Sequence, residues 1–448
     1  MRSNLTYTLD EIAEIYDGPH ATPKKLEAGN AVFLSISSIE NGRLNLEKSS
    51  FITEDDFIKW TRRVTPRAGD VVFSYETKIG EASIIPEGLR CCLGRRMGLL
   101  RAKQDKVLPQ YLLYAYLSPA FQDVIREKTI HGSTTDRISI KEMPSFEIQL
   151  PDIHTQKKVI KILSSIDNKL SKNAEVNQTL EQIAQALFKS WFVDFEPVKA
   201  KIAVLEAGGS QEDATLAAMT AISGKNADSL AIFEREQPDK YAELRATVEL
   251  FPAEMQESEL GEIPAGWSSQ RMSNIATLHY GKALKKTERI DGPYPVYGSG
   301  GITGFHNDYL VEGPSIVVGR KGSIGTIYWE DGKFHPIDTV YYVANKEEIP
   351  LSYLYYLMET LNLPSMNTDA AVPGLNRDNV YRIEVLKPTQ PILNIFDNHI
   401  STIRNGIRKN NNTIVLLEDL RDTLLPKLLS GEITQPEAEE IAKEADYV

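Results

Sequence analysis

One apolar repeat constrains this chain more than any other feature, because it is written twice. Between Pro151 and Phe195, alternating steps of four and three residues give Val159, Leu163, Ile166, Leu170, Asn173, Asn177, Leu180, Ala184, Leu187 and Trp191, eight of ten apolar. That spacing is close to 3.5 residues and predicts a long helix with a narrow seam for another helix. Adding 237 to each number gives Phe396, Ile400, Ile403, Ile407, Asn410, Ile414, Leu417, Arg421, Leu424 and Leu428, again eight of ten. The partner helix is therefore expected in the same chain.

Two copies are too few for a solenoid, so the expectation is a pseudo-two-fold molecule with its two long helices antiparallel. Asn173 and Asn410 hold equivalent seam positions. A buried polar residue there costs stability but fixes register, so Asn173, Asn177 and Asn410 are expected together in mid-seam.

A length of 448 residues predicts two to four domains. No apolar run approaches a membrane span, and the opening MRSNLTYTLDEIAE does not read as a signal peptide. The adjacent Cys91 and Cys92 cannot build a disulfide framework and suit a reducing compartment. A cytoplasmic chain is expected. The net charge of −12 is unevenly spread: residues 1–150 are neutral and 261–389 carry −2, whereas 197–260 carry −6 and 430–448 carry −5. Overall acidity therefore says little about the faces of the two large segments.

In order, residues 1–150 read as a mixed α/β head with short strands at 31–39, 69–75, 81–85 and 97–102, and a helical run at 108–128 interrupted at Pro119. Residues 151–196 form the first long helix, and 197–260 a helical connector. Residues 261–389 repeat the order of the first head, with SIVVGRK answering DVVFSYETK and LSYLYYLMETL answering PQYLLYAYLSPAF. Residues 390–430 form the second long helix, which Pro426 is expected to kink or end. Residues 431–448 are an acidic tail, expected to fray. The fold class is α+β: two mixed α/β heads joined by two long antiparallel helices forming a coiled coil.

Catalytic signatures are missing. There is no GxxxxGK[ST] loop, HExxH, paired CxxC or GxSxG, and the seven histidines show no metal-ligand spacing. DGPY at 291–294 only superficially resembles the catalytic tetrapeptide of adenine methyltransferases. What remains is a set of basic and polar loops at similar places in both heads. The first head has His20, Lys24, Lys25, Arg62, Arg63, Tyr75, Lys78, Arg95, Arg96 and Arg137. The second has Lys282, Lys285, Lys286, Tyr297, Ser299, Arg320, Lys321, Ser323, Asn376 and Arg377. Such side chains clamp phosphates and read base edges. Each alone also reads as a solvated surface group, and GRKGSIG at 319–325 as a plain hairpin turn. Recurrence in both heads singles the set out.

Three stretches carry a family resemblance: LFKSWFVDFEPVKAK (187–201), SELGEIPAGW (258–267) and LLPKLLSGEI (424–433). With AAVPGLNRDNV (370–380) and YGSGGITG (297–304), they resemble the DNA-specificity subunit of type I restriction-modification enzymes. The resemblance spans essentially the whole chain. It implies two target-recognition domains, each reading part of an asymmetric, interrupted DNA site, with the helix pair as spacer. About 41 residues at about 1.5 Å each span roughly 60 Å, against a major-groove repeat of about 34 Å.

The resemblance also implies no catalytic residue and no cofactor in this chain. S-adenosylmethionine would sit on two methyltransferase subunits, and ATP with magnesium on two motor-nuclease subunits. Trp191, Phe192, Phe195, Leu424, Leu425, Leu428 and Leu429 extend beyond the ideal seam and are candidate docking surfaces. Packing against this chain's own heads is the equal alternative for them. A different reading of the whole chain is a coiled-coil assembly scaffold whose heads bind protein without DNA specificity.

Overall fold

The computed structural model describes residues 4–40, 42–132, 135–346, 348–366 and 374–444. They form two compact units, 1–174 with 412–448 and 175–411. Each unit owns one head and one half of each long helix.

The long helices run Ile153–Phe192 and Gln390–Ser430. Asp152 starts the first, its carboxylate accepting the Thr155 N–H at 3.0 Å. That helix stops short of the expected Phe195: the Asp194 N–H turns back to the Lys189 carbonyl, and Phe195 adopts φ 56°. The second helix continues through Pro426, contrary to expectation. A proline so near the C-terminal turn removes one ladder donor, while Leu424, Leu425 and Leu428 around it are buried and hold the turn in place. Gly431, at φ 76°, closes that end, with the Glu432 and Ile433 N–H groups on the Lys427 carbonyl.

In the first unit, Val159, Leu163, Ile166 and Leu170 share one core with Leu417, Leu424 and Leu428 and with Tyr111, Leu112, Tyr116 and Phe146 of the head. In the second, Ala184 and Trp191 share a core with Phe396 and Ile400 and with Tyr353, Tyr356 and Trp267. There Asn177 meets Asn410, Glu181 meets Arg404, and Phe188 meets Phe396. Rising numbers on one helix against falling numbers on the other make the pairing antiparallel. Asn177 accepts from Asn410 at 2.9 Å and donates to Asn411 at 2.7 Å, giving a polar break in the seam. Asn173 belongs to the first unit and is half-buried.

The candidate docking residues are largely spent inside these cores. Trp191, Phe192, Leu424, Leu425 and Leu428 are buried, and Phe195 and Leu429 pack on the same clusters. Their apolar excess beyond the seam is covered by the heads, because a helix embraced by both a partner and a domain buries more than one stripe. The tail departs from expectation too. Gln435–Glu444 is helical, and Ala438 is buried in the first unit's core; residues 445–448 lie outside the described set.

Both heads share one strand order. The first has an antiparallel sheet of Ala13–Asp17, Met97–Ala102, Val71–Ser74 and Ala82–Ile84. The second has Ala276–Tyr280, Val340–Asn345, Ser315–Gly319 and Ile327–Glu330 in the same order. Each head adds a second sheet with one parallel pairing, Ala31–Leu34 with Cys91–Leu93 and Tyr294–Gly298 with Lys333–Pro336. Each is closed by a strand pair at its root, Leu5–Thr8 with Glu147–Leu150 and Ser268–Arg271 with Glu384–Lys387. A buried helix, Pro109–Leu117 or Leu351–Thr360, lays its tyrosines against the long helices. The connector is four helices from Glu196 to Glu249, followed by a hairpin of Met255–Ser258 and Gly261–Pro264.

Gln156 fastens the first head to its helix. Fully buried, it accepts the Leu108 N–H at 2.9 Å and donates to the carbonyls of Lys106 at 2.9 Å and Pro151 at 3.0 Å. Gln156→Leu removes three hydrogen bonds to partly buried backbone groups, so chemical denaturation is expected to show a loss of about 1–3 kcal/mol. Burial pushes the thiols of Cys91 and Cys92 up to about 12. Ellman's reagent at pH 8 is therefore expected to find no fast-reacting thiol in the folded chain and two in denaturant.

Candidate nucleic-acid interface

Each head turns one equivalent loop outward from its four-stranded sheet. Ser74–Gly80 (SYETKIG) in the first answers Gly319–Gly325 (GRKGSIG) in the second. The backbone is the same: the Ile138 N–H bonds the Tyr75 carbonyl as Leu375 bonds Arg320, and Glu76 bridges Arg137 as Lys321 bridges Gly374. Both loops place their fourth residue in the left-handed region, Thr77 at φ 68° and Gly322 at φ 82°. Glycine takes that conformation freely and threonine at a cost, which the shared loop bonds offset. Gly325 is required by close approach, since a Cβ there would lie 2.5 Å from the Pro364 nitrogen.

In the second head the loop builds a stacked basic edge. The Arg320 guanidinium lies 4.9 Å from the Tyr280 ring and 5.8 Å from Tyr341, while Arg377 lies 5.0 Å from Tyr280 and 5.7 Å from Tyr381. Tyr280, 48% exposed, thus sits against two guanidinium groups. Arg320 also donates to the Asp338 carbonyl at 3.0 Å. Asn376 caps the short helix after it by accepting the Asp378 N–H. Ser299 joins the edge, its hydroxyl accepting the Ser323 N–H at 3.3 Å and its carbonyl accepting from Thr326 at 2.6 Å. Lys321 and Ser323 are exposed at the loop tip. Lys282 follows Tyr280's strand with its N–H on the Pro336 carbonyl; Lys285 pairs with Glu288 at 3.6 Å, and Lys286 is exposed.

The first head fills the same frame with different chemistry. Asp17 stands at Tyr280's place and accepts from Tyr75 at 3.0 Å and Arg63 at 3.4 Å, with His20 at 3.0 Å. Arg96 pairs with Glu76 at 2.6 Å, and Lys78 donates to the Ile39 carbonyl at 3.2 Å. Arg137 is exposed at the bridge to Glu76. Lys25 lies 5.9 Å from the Phe33 ring. Lys24, Arg62 and Arg95 are exposed and have no ion-pair partner among the described residues.

Two predicted contact residues are corrected here. Tyr75 and Tyr297 are buried, their hydroxyls donated to Asp17 and to Glu330 at 2.8 Å. Burial, reinforced by those carboxylates, pushes both phenols well above the ordinary tyrosine value and keeps them as donors. They brace the loops rather than face outward. Sequence reasoning missed Asp17 and Tyr280. The available signal was their shared position just before a glycine at a strand end, but a search for basic residues passed over it.

Among the described residues, no cluster of three metal-ligating side chains and no helix long and apolar enough to cross a membrane is present. The family described as "Type I restriction modification DNA specificity domain" matches residues 3–182 and 264–413. The chain is similar to the type I restriction enzyme HindI specificity subunit of Haemophilus influenzae, 32% identical over 73% of this chain and 78% of that one. It is also similar to the type I restriction enzyme MjaIX specificity subunit of Methanocaldococcus jannaschii, 23% identical over 94% and 89%. The crystal structure of the type I restriction-modification system S subunit from M. genitalium aligns over 95% of this chain and 96% of its own, with 15% identity and a TM-score of 0.49.

Proposed function

Because the chain belongs to the type I restriction-modification DNA specificity family, we propose that it reads a bipartite, asymmetric DNA site, one half with each head. The carrying observation is that two heads of one strand order present the same loop with different side chains. Equal backbones suit equal tasks, and unequal side chains suit unequal half-sites. Arg320, Lys321, Asn376 and Arg377 would contact DNA from the second head, and Lys24, Arg62, Arg95 and Arg137 from the first.

Helices of 40 and 41 residues, about 60 Å at about 1.5 Å per residue, support a spacer that sets the gap between half-sites. On this reading the chain has no chemistry of its own and acts in the cytoplasm. Two methyltransferase subunits would bring S-adenosylmethionine, and two motor-nuclease subunits ATP and magnesium.

The deciding experiment maps N6-methyladenine across the genome of a host making the cognate methyltransferase subunit, with and without this chain. A two-part asymmetric motif appearing only with the chain is expected; a motif independent of the chain would overturn the reading. Lys321→Ala is expected to lower DNA affinity several-fold and to reduce the slope of log affinity against log salt by about 1, leaving the motif unchanged, as for a phosphate contact. Binding titrations at several salt concentrations check this.

A further inference from the structure

The two units are built alike, yet one arginine is held in the second and has no counterpart in the first. In the second unit the Arg404 guanidinium pairs with Glu181 at 3.2 Å, donates to the Tyr356 hydroxyl at 2.9 Å, and lies 4.9 Å from the Trp329 ring and 4.7 Å from Tyr355. The repeat carries each wall of this cradle into the first unit. Glu181 corresponds to Glu418 at the spacing of 237, Tyr356 and Tyr355 to Tyr114 and Leu113 on the head helix, and Trp329 to Ile84 by strand register. Arg404 itself corresponds to Asp167.

All of these equivalents line one open cleft of about 900 Å³ in the first unit. Asp167 is engaged there by Tyr114 at 2.6 Å and by Arg43 and Arg421 at 3.7 and 3.9 Å. Glu418, Asp419 and Glu81 also line it, and none has a hydrogen-bond or ion-pair partner for its carboxylate among the described residues. Five carboxylates thus face two guanidinium groups, and both of those groups lie against Asp167.

We propose that this cleft receives an arginine side chain from the methyltransferase subunit, supplying from outside what Arg404 supplies within the second unit. The partner's identity rests on the function proposed above. The chemistry is that of the occupied cradle: carboxylates at Glu418 and Asp419 take the guanidinium, while Ile84, Leu113 and Leu117 cover its methylene stem. The acidic lining disfavours DNA, so the cleft serves assembly rather than target reading.

The test measures binding of the purified cognate methyltransferase subunit to the full chain by titration calorimetry at two salt concentrations. Glu418→Lys with Asp419→Lys is expected to weaken binding at least tenfold and to flatten its salt dependence. The melting curve and DNA affinity should match the parent. Asp228→Lys with Glu234→Lys, the same charge change on the exposed connector, is the control and is expected to bind like the parent. A cleft variant that binds within twofold of the parent overturns the proposal, as does an equal loss in the connector control. Failure of the parent chain itself to bind the subunit or direct its methylation would instead sink the family-based reading.

Discussion

The fold depends on one shared requirement: neither long helix has enough apolar partner in the other to be buried by pairing alone. Each half-helix completes its burial against the tyrosine-rich helix of a head, so stem and head share a single core in each unit. Leu163 and Leu424 are covered from two sides, as are Trp191 and Phe396. Head and stem therefore cannot loosen separately without exposing large apolar side chains. Gln156 adds direction to that adhesion, satisfying backbone groups of the head from a helical position. Within each unit the head is fixed on its helix.

On that common frame, polarity is exchanged at equivalent places. Asp17 and Tyr75 in the first head stand where Tyr280 and Arg320 stand in the second, and Asp167 stands where Arg404 stands. The exchange leaves the loop hydrogen bonds untouched, because they run through backbone carbonyls and N–H groups. Geometry is thus held by the main chain while the side chains remain free to differ. The second head presents arginines stacked on a ring; the first holds Arg63 and Arg96 in ion pairs and leaves Lys24, Arg62 and Arg95 outermost.

The repeat, the seam and the antiparallel pairing within the second unit were legible in the sequence because they rest on periodicity, which local residues carry by themselves. The loops were legible as positions, since their text recurs in order. What escaped was every feature decided by a partner far along the chain. For Trp191 and Leu424 the sequence left docking and packing against the heads as equal alternatives, because nothing local announces the head helix that covers them. Tyr75 and Tyr297 read as reaching outward because Asp17 and Glu330 are 58 and 33 residues away. Pro426 and the acidic tail read as endings by intrinsic preference, and tertiary burial overrode both.

The second sheet of each head has a further meaning. Between the first and third strands of the shared antiparallel sheet, the first head spends residues 18–70 and the second only 281–314. Those stretches supply two of the three strands of the sheet that contains the parallel pairing in the first head and three of the four in the second, and they are where the heads differ most in length. In the first head that stretch also reaches the stem, where Arg43 donates to the Asp167 carbonyl at 3.3 Å. A change of length in that stretch is therefore felt at the long helix as well as within the head.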